Sequence, residues 1–215
     1  MTTAALKAIV SPGLAMLARA VTGVRPIWLG AAPRPGPRVY FANHASHGDF
    51  ILLSACLPAE LRARTRAVAA ADYWGRTGLR RYLSEELLSC VLIEREAAAR
   101  TRDPIEIMVE VLDRGEGLII FPEGTRNMTD EKLLPLRSGL YNLALKCPEV
   151  ELVPCWIENM SRVLPKGEFL PVPLLCRVVF GAPLRLGAGE DRHAFLARAR
   201  EAMLALAPST NGETS

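Results

Sequence analysis

Long apolar runs are what this chain most conspicuously lacks. No uncharged stretch approaches the ~18–20 residues that a membrane-spanning helix needs, and the run Ala8–Ala18 is itself interrupted by Pro12-Gly13. Charge of one sign is lacking too. The formal net charge is +3, from 26 basic and 23 acidic residues, which is too small an imbalance to argue for nucleic acid. Cys56, Cys90, Cys147, Cys155 and Cys176 show no CxxC spacing. That spacing indicates neither a disulfide framework nor a zinc site, and it suits buried, reduced thiols in a reducing compartment. The chain also has no GxSxG elbow, no Walker sequence, no HExxH and no GxGxxG, so four common catalytic or nucleotide-binding devices are excluded. Aromatic residues are sparse.

What is present suits one globular domain. Half of the 215 residues are hydrophobic and 23% are charged, enough apolar side chain to bury a substantial core. Prolines cluster at 33–37, 154–173 and 183, marking loops and strand edges. Between Glu60 and Arg81 six arginines (62, 64, 66, 76, 80 and 81) face two acids, Glu60 and Asp72. Such a segment is either a solvated helical face or a surface for phosphates.

The N-terminus imitates a signal peptide loosely, with Lys7, an apolar run and Ala18-Arg19-Ala20. The single lysine and the Pro-Gly interruption argue against one. On a helix Leu6, Ile9, Val10, Gly13, Leu17 and Val21 share one side, and Lys7, Ser11 and Thr22 lie on another. That pattern fits an uncleaved helix lying in a membrane interface and kinked near Pro12. A helix packed on the core is the alternative.

Alternating strand and helix signals follow. Val39–Phe41, Arg66–Ala71, Cys90–Glu94, Leu118–Phe121, Leu152–Ile157 and Cys176–Phe180 read as strands,. Helices are expected over 50–57, 73–83, 138–146 and 192–207. Another opens at Asp103-Pro104, an N-cap followed by proline at the first helical position, and ends at Gly115,. The fold class is therefore α/β, a mixed, largely parallel sheet flanked by helices with a short N-terminal amphipathic helix. The expected organisation is a membrane-associating helix over 1–24, a Pro-rich linker over 25–37, a catalytic domain over 38–207 and a flexible tail over 208–215.

Three constellations carry chemistry. Asn43-His44-Ala45-Ser46-His47-Gly48-Asp49 follows a strand and precedes an apolar helix. Residues five apart do not share a face of one helix. They can meet if His44 sits in the turn and Asp49 in the helix's first turn. Asp49 would then fix the tautomer of His44, leaving the other ring nitrogen free to take a proton from a hydroxyl. Ser46 and Asp49 also have capping-box spacing, so a purely structural role for the acid stays open. Phe121-Pro122-Glu123-Gly124-Thr125-Arg126 follows a second strand. It combines a close-approach glycine, a hydroxyl and a guanidinium fork suited to phosphate. Arg95 follows a third strand and could be a second cation. All three fall at carboxyl ends of strands, where open α/β sheets place ligands. His47 and His193 receive no role. No residue set calls for a metal or a bound cofactor.

These motifs resemble those of the glycerolipid acyltransferase family, best known for 1-acyl-sn-glycerol-3-phosphate acyltransferases. NHASHGD is similar to its NHxSxxD motif, IERE around Arg95 to its second, FPEGTR to its third, and the Leu152–Ile157 stretch around Pro154 to its fourth. Leu134–Gly139 resembles its LPFKxG segment, with Arg137 where lysine is usual. The resemblance covers about residues 38–185. It implies His44 as general base and Asp49 as its partner. It also implies Glu123, Gly124, Thr125, Arg126, Arg95 and Arg137 around the acceptor, and Pro154 lining an acyl or acceptor channel. The implied reaction moves a fatty acyl group from acyl-coenzyme A or acyl-carrier protein to 1-acyl-sn-glycerol 3-phosphate, forming phosphatidate at the cytoplasmic face of a membrane. Another lysophospholipid or glycerol 3-phosphate as acceptor, a thioesterase or lipid hydrolase, and a non-catalytic lipid-binding scaffold remain open at this point.

Overall fold

Continuous apolar runs become the centre of a sheet. The computed structural model describes residues 3–46, 48–71, 90–94, 101–158 and 175–208. Its strands are β1 (Arg25–Trp28), β2 (Arg38–Ala42), β3 (Thr65–Ala70), β4 (Val91–Ile93), β5 (Gly117–Ile120), β6 (Glu151–Glu158) and β7 (Arg177–Phe180). They form one sheet in the order β1-β7-β6-β2-β5-β3-β4. Every neighbouring pair is parallel except β6 with β7, which is antiparallel. Every residue of β2 and of β5 is buried, as a strand covered on both faces requires.

Helices α1 (Thr3–Thr22), α2 (Asp49–Cys56), α3 (Ala59–Ala63), α4 (Pro104–Asp113), α5 (Gly139–Lys146) and α6 (Arg192–Leu204) complete the described elements. The two-residue alternation of each strand divides the core. Tyr40, Ala42, Val153 and Ile157 pack on one face with Leu52 and Leu53 of α2. Val39, Phe41, Leu118 and Ile120 pack on the other, with Leu112 of α4, Leu140 of α5 and Phe195 of α6. The Asp103 carboxylate caps α4 by accepting from Ile105 N at 2.9 Å. All five cysteines are free, and burial pushes the Cys56 and Cys90 thiols up to about 12.

Two segments differ from the sequence expectation or add to it. Residues 25–37, expected to be linker throughout, supply β1, whose Ile27 and Trp28 pair with Val179 and Phe180. Pro26 is tolerable there because an edge strand leaves one row of amides without a partner strand. Trp28 stacks on Phe180 with ring centroids 3.9 Å apart. The second segment is α1. It runs through Pro12, buries Ala15, and ties to α2 through Arg19 Nε, which donates to Ala55 O at 2.7 Å. Met16 and Leu17 remain 71% and 59% exposed. The helix therefore packs on the domain with one side and presents apolar surface on another. The helix expected over 73–83 lies outside the described residues.

Candidate active site

Because β2, β5 and β6 run parallel, their carboxyl ends open on one edge of the sheet. Asn43 extends β2 past its last residue. Its side-chain amide donates to Ile157 O at 3.1 Å and its carbonyl accepts from Ile157 N at 2.7 Å, so it mimics a further ladder step with β6. The chain then turns, and α2 begins at Asp49 with Gly48 as N-cap.

That turn brings His44 and Asp49 together. His44 Nδ1 lies 2.9 Å from Asp49 Oδ2. The same oxygen accepts from Ala45 N at 2.7 Å and Ser46 N at 2.8 Å. Asp49 is 1% exposed, and its other oxygen has no hydrogen-bond partner among the described residues. The acid thus ties down the turn and orients the ring, so the structural and chemical readings of Asp49 coexist. A carboxylate at Nδ1 requires the hydrogen to sit there, which leaves Nε2 as the free lone pair. The side chain of His44 is 20% exposed.

The turn after β5 builds the other half of the site. The Phe121 ring stacks on the His44 ring, with centroids 4.3 Å apart and planes 20° from parallel. Glu123 is 2% exposed. Its Oε1 accepts from His44 N at 2.7 Å and its Oε2 from Leu134 N at 2.9 Å. Burial raises this carboxyl above the usual glutamate range, against the opposing pull of those two amides. Asn127 N donates to His44 O at 2.7 Å. The backbone of His44 is therefore gripped at both its N–H and its C=O by one segment that lies far away in sequence.

Gly124 has φ +70°, the left-handed region that glycine enters without strain. A Cβ there would fall inside the space of Arg137 Nε and Cδ. Arg137 lies over this turn, with Nε donating to Glu123 O at 3.1 Å and its backbone N donating to Pro122 O at 2.8 Å. Gly124→Ala should therefore displace Arg137 and add ~1–2 kcal/mol of backbone strain. A lowered unfolding temperature would report the strain, and loss of the Arg137 Nε bond to Glu123 O in a structure of the variant would report the displacement.

A cavity of about 350 Å³ opens beside the imidazole. His44 and Asp49 form one side of it, Trp156 and Glu158 of β6 another, and Lys132 stands in the loop wall. That loop is held by one of its own side chains and by Arg200 of α6. Asn127 Oδ1 accepts from Thr129 N and Oγ1 at 3.0 and 2.8 Å, and Arg200 Nη2 donates to Leu133 O at 2.9 Å. Thr125 is exposed and Arg126 half-buried, on the turn between Gly124 and Asn127. Arg126 forms no hydrogen bond or ion pair among the described residues. Pro154 is buried in β6 and does not line this cavity. It packs at Gly181 instead, so the β6 contribution to the wall comes from Trp156, Ile157 and Glu158. Arg95 and His47 lie outside the described residues.

Phe121, Asn43 and Asn127 had no role in the sequence reading. Asn43 alone left a local signal, since an asparagine directly after a buried strand can imitate one more peptide unit. Among the described residues no group of histidine, cysteine, aspartate and glutamate is arranged to hold a metal ion.

A mostly parallel α/β sheet with an Asp-oriented histidine at its carboxyl edge defines a class of proteins equipped to deprotonate a hydroxyl. Comparison with known proteins narrows that class. A family model described as Acyltransferase matches residues 29–158. The 1-acyl-sn-glycerol-3-phosphate acyltransferase of Helicobacter pylori is 29% identical over 133 residues, covering 60% of this chain and 51% of that protein. The chain thus spans about half the length of that curated relative. The crystal structure of the 1-acyl-sn-glycerophosphate (LPA) acyltransferase PlsC from Thermotoga maritima superposes with a TM-score of 0.68 at 20% identity. It covers 93% of this chain and 81% of its own, and shows the shared fold. The chain belongs to the acyltransferase family.

Proposed function

We propose that the protein transfers a fatty acyl group from acyl-coenzyme A or acyl-carrier protein to the free hydroxyl of 1-acyl-sn-glycerol 3-phosphate, giving phosphatidate. The observation that carries this reading is the 2.9 Å contact of His44 Nδ1 with Asp49 Oδ2 on the wall of an open cavity. His44 Nε2 takes the proton of the acceptor hydroxyl as its oxygen attacks the thioester carbonyl carbon. The tetrahedral adduct collapses, the carbon–sulfur bond breaks, and the departing thiolate takes the proton back from the imidazolium that Asp49 stabilises. Every proton is returned, and the residues need no metal or bound cofactor for it.

Arg126, half-buried on the turn after β5, supplies a guanidinium for the acceptor's phosphate. Thr125, Gly124 and Arg137 shape the same turn, and Arg95 adds a second cation. Glu123 serves the site as a positioning residue. Helix α1 lies on the membrane surface through Met16 and Leu17, with Arg19 and Arg25 near its C-terminal end, and holds the enzyme at the cytoplasmic face where thioester donors are made. No helix among the described residues is long and apolar enough to cross a membrane.

A panel settles acceptor and donor together. 1-Acyl-sn-glycerol 3-phosphate, glycerol 3-phosphate and a neutral lysophospholipid are each offered with acyl-coenzyme A and with acyl-carrier protein, and products are read by mass spectrometry. Phosphatidate is expected. Free fatty acid released without any acceptor would replace transfer by hydrolysis, and absence of product in every combination would leave a lipid-binding scaffold.

A further inference from the structure

We propose that Phe121 is a second positioning residue for His44, holding the plane of the imidazole while Asp49 holds one of its nitrogens. The inference rests on the role of His44 given above and adds a residue to it. A hydrogen bond at Nδ1 fixes one atom of the ring, but the ring can still swing about that contact through its side-chain torsions. The Phe121 face, 4.3 Å away and 20° from parallel, removes that swing on one side.

Phe121 is itself well anchored. It directly continues β5, its carbonyl accepts from Gly124 N at 3.0 Å, and its ring packs against the apolar cluster of Tyr40, Leu52 and Ile157. The stack therefore transmits the position of the sheet to the ring. The choice of an aromatic also matters chemically. Charged groups already surround the imidazole: Asp49 at Nδ1, Glu123 at its backbone amide, and Glu131, Lys132 and Glu158 on the shared cavity wall. A further polar side chain against the ring would compete for Nε2. A phenyl face constrains the plane and makes no hydrogen bond, so the lone pair stays available to the acceptor.

The test compares Phe121→Leu, which fills much of the space without a planar face, with Phe121→Tyr, which keeps the plane. The leucine variant should lose about tenfold in kcat with both KM values unchanged, because the loss lies in orientation and not in binding. The tyrosine variant should stay near wild type. A second readout needs no activity. The Phe121 ring current should shift the His44 ring-proton resonances upfield in the wild-type spectrum, His44 being identified by the signals missing from His44→Ala. Those resonances should move downfield in Phe121→Leu.

If the leucine variant fails to fold, Phe121→Met offers similar bulk without a plane and is read in the same way. Wild-type kcat together with unmoved His44 resonances in either variant overturns the proposal. So does a tyrosine variant as slow as the leucine one. A wild-type protein that acylates nothing would instead overturn the proposed function, and the resonance shift would still decide whether the stack holds the ring.

Discussion

His44→Ala should lower kcat by ~10²–10⁴-fold while changing stability by no more than about 1–2 kcal/mol. The small structural effect follows from how the site is held. Removing the imidazole does not orphan Asp49 Oδ2, which still accepts from Ala45 N and Ser46 N. The backbone of residue 44 keeps its bonds to Glu123 Oε1 and from Asn127 N, neither of which involves the ring. A large loss of turnover in a protein that unfolds almost normally is therefore a chemical loss. Asp49→Asn separates charge from shape at the same site. Its one oxygen can sit where Oδ2 is and keep accepting, but it carries no charge to stabilise an imidazolium, so a loss of ~10²–10⁴-fold is again expected. Initial rates with products counted by mass spectrometry, paired with thermal unfolding, check both variants. A fully active His44→Ala protein would remove the base from the mechanism.

The sequence and the structure agree best where causes are local. His44 and Asp49 are five residues apart, and one turn between a strand and a helix decides whether they meet. Their partnership was open to reading because only a short segment had to be folded correctly. The central strands were legible for a similar reason. Val39–Phe41 and Leu118–Ile120 are continuous apolar runs with no competing helical period, and both lie in the middle of the sheet.

Non-local pairing was out of reach. β1 is an edge strand because β7, about 150 residues later, offers it a partner, and nothing in a proline-bearing tetrapeptide announces that. The antiparallel setting of β7 against β6 depends on the path of the chain between them. Pro154 shows the same limit in reverse. The family resemblance implies a channel lining for it, and the structure buries it inside β6, away from the cavity beside His44. Its carbonyl accepts from Gly181 N at 2.8 Å. Within a strand a residue's N–H and C=O point the same way, so the proline ring removes the return bond that this position would donate to Gly181, and the β7 ladder stops at Phe180,.

Arg137 and Glu123 carry the sharpest contrast between residue type and residue use. A guanidinium and a carboxylate near a candidate site both invite a substrate contact. In the fold Arg137 Nε reaches a backbone carbonyl, and both oxygens of Glu123 are taken by backbone amides. Arg126, three residues beyond Glu123, has no such commitment among the described residues. Within the turn after β5, Glu123 thus gives both oxygens to the protein's own backbone, and Arg126 makes no such bond among the described residues.

Glu123→Gln tests that use of Glu123, and its cost should fall on stability as well as on turnover. Glutamine has one carbonyl oxygen, so one of the two amides, His44 N or Leu134 N, would meet an NH₂ group in a buried position. Leaving a buried donor unsatisfied costs about 1–3 kcal/mol, which lowers the unfolding temperature by about 2–4 °C per kcal/mol in a domain of this size. A shift of His44 by a fraction of an ångström up to 1 Å adds a loss of up to ~10²-fold in kcat, with KM for the acceptor little changed. The pH dependence carries a further sign. Burial raises the Glu123 carboxyl, so the folded state binds that proton more tightly than the unfolded chain does. The residue's contribution to stability is full below the ordinary glutamate value and declines as pH rises through the folded one. Unfolding measured across that window should show this descending component in the wild type and lack it in Glu123→Gln. A glutamine variant of wild-type stability whose defect lies only in acceptor KM would return Glu123 to the substrate's side of the site, and the amide clamp on His44 would then have no catalytic weight.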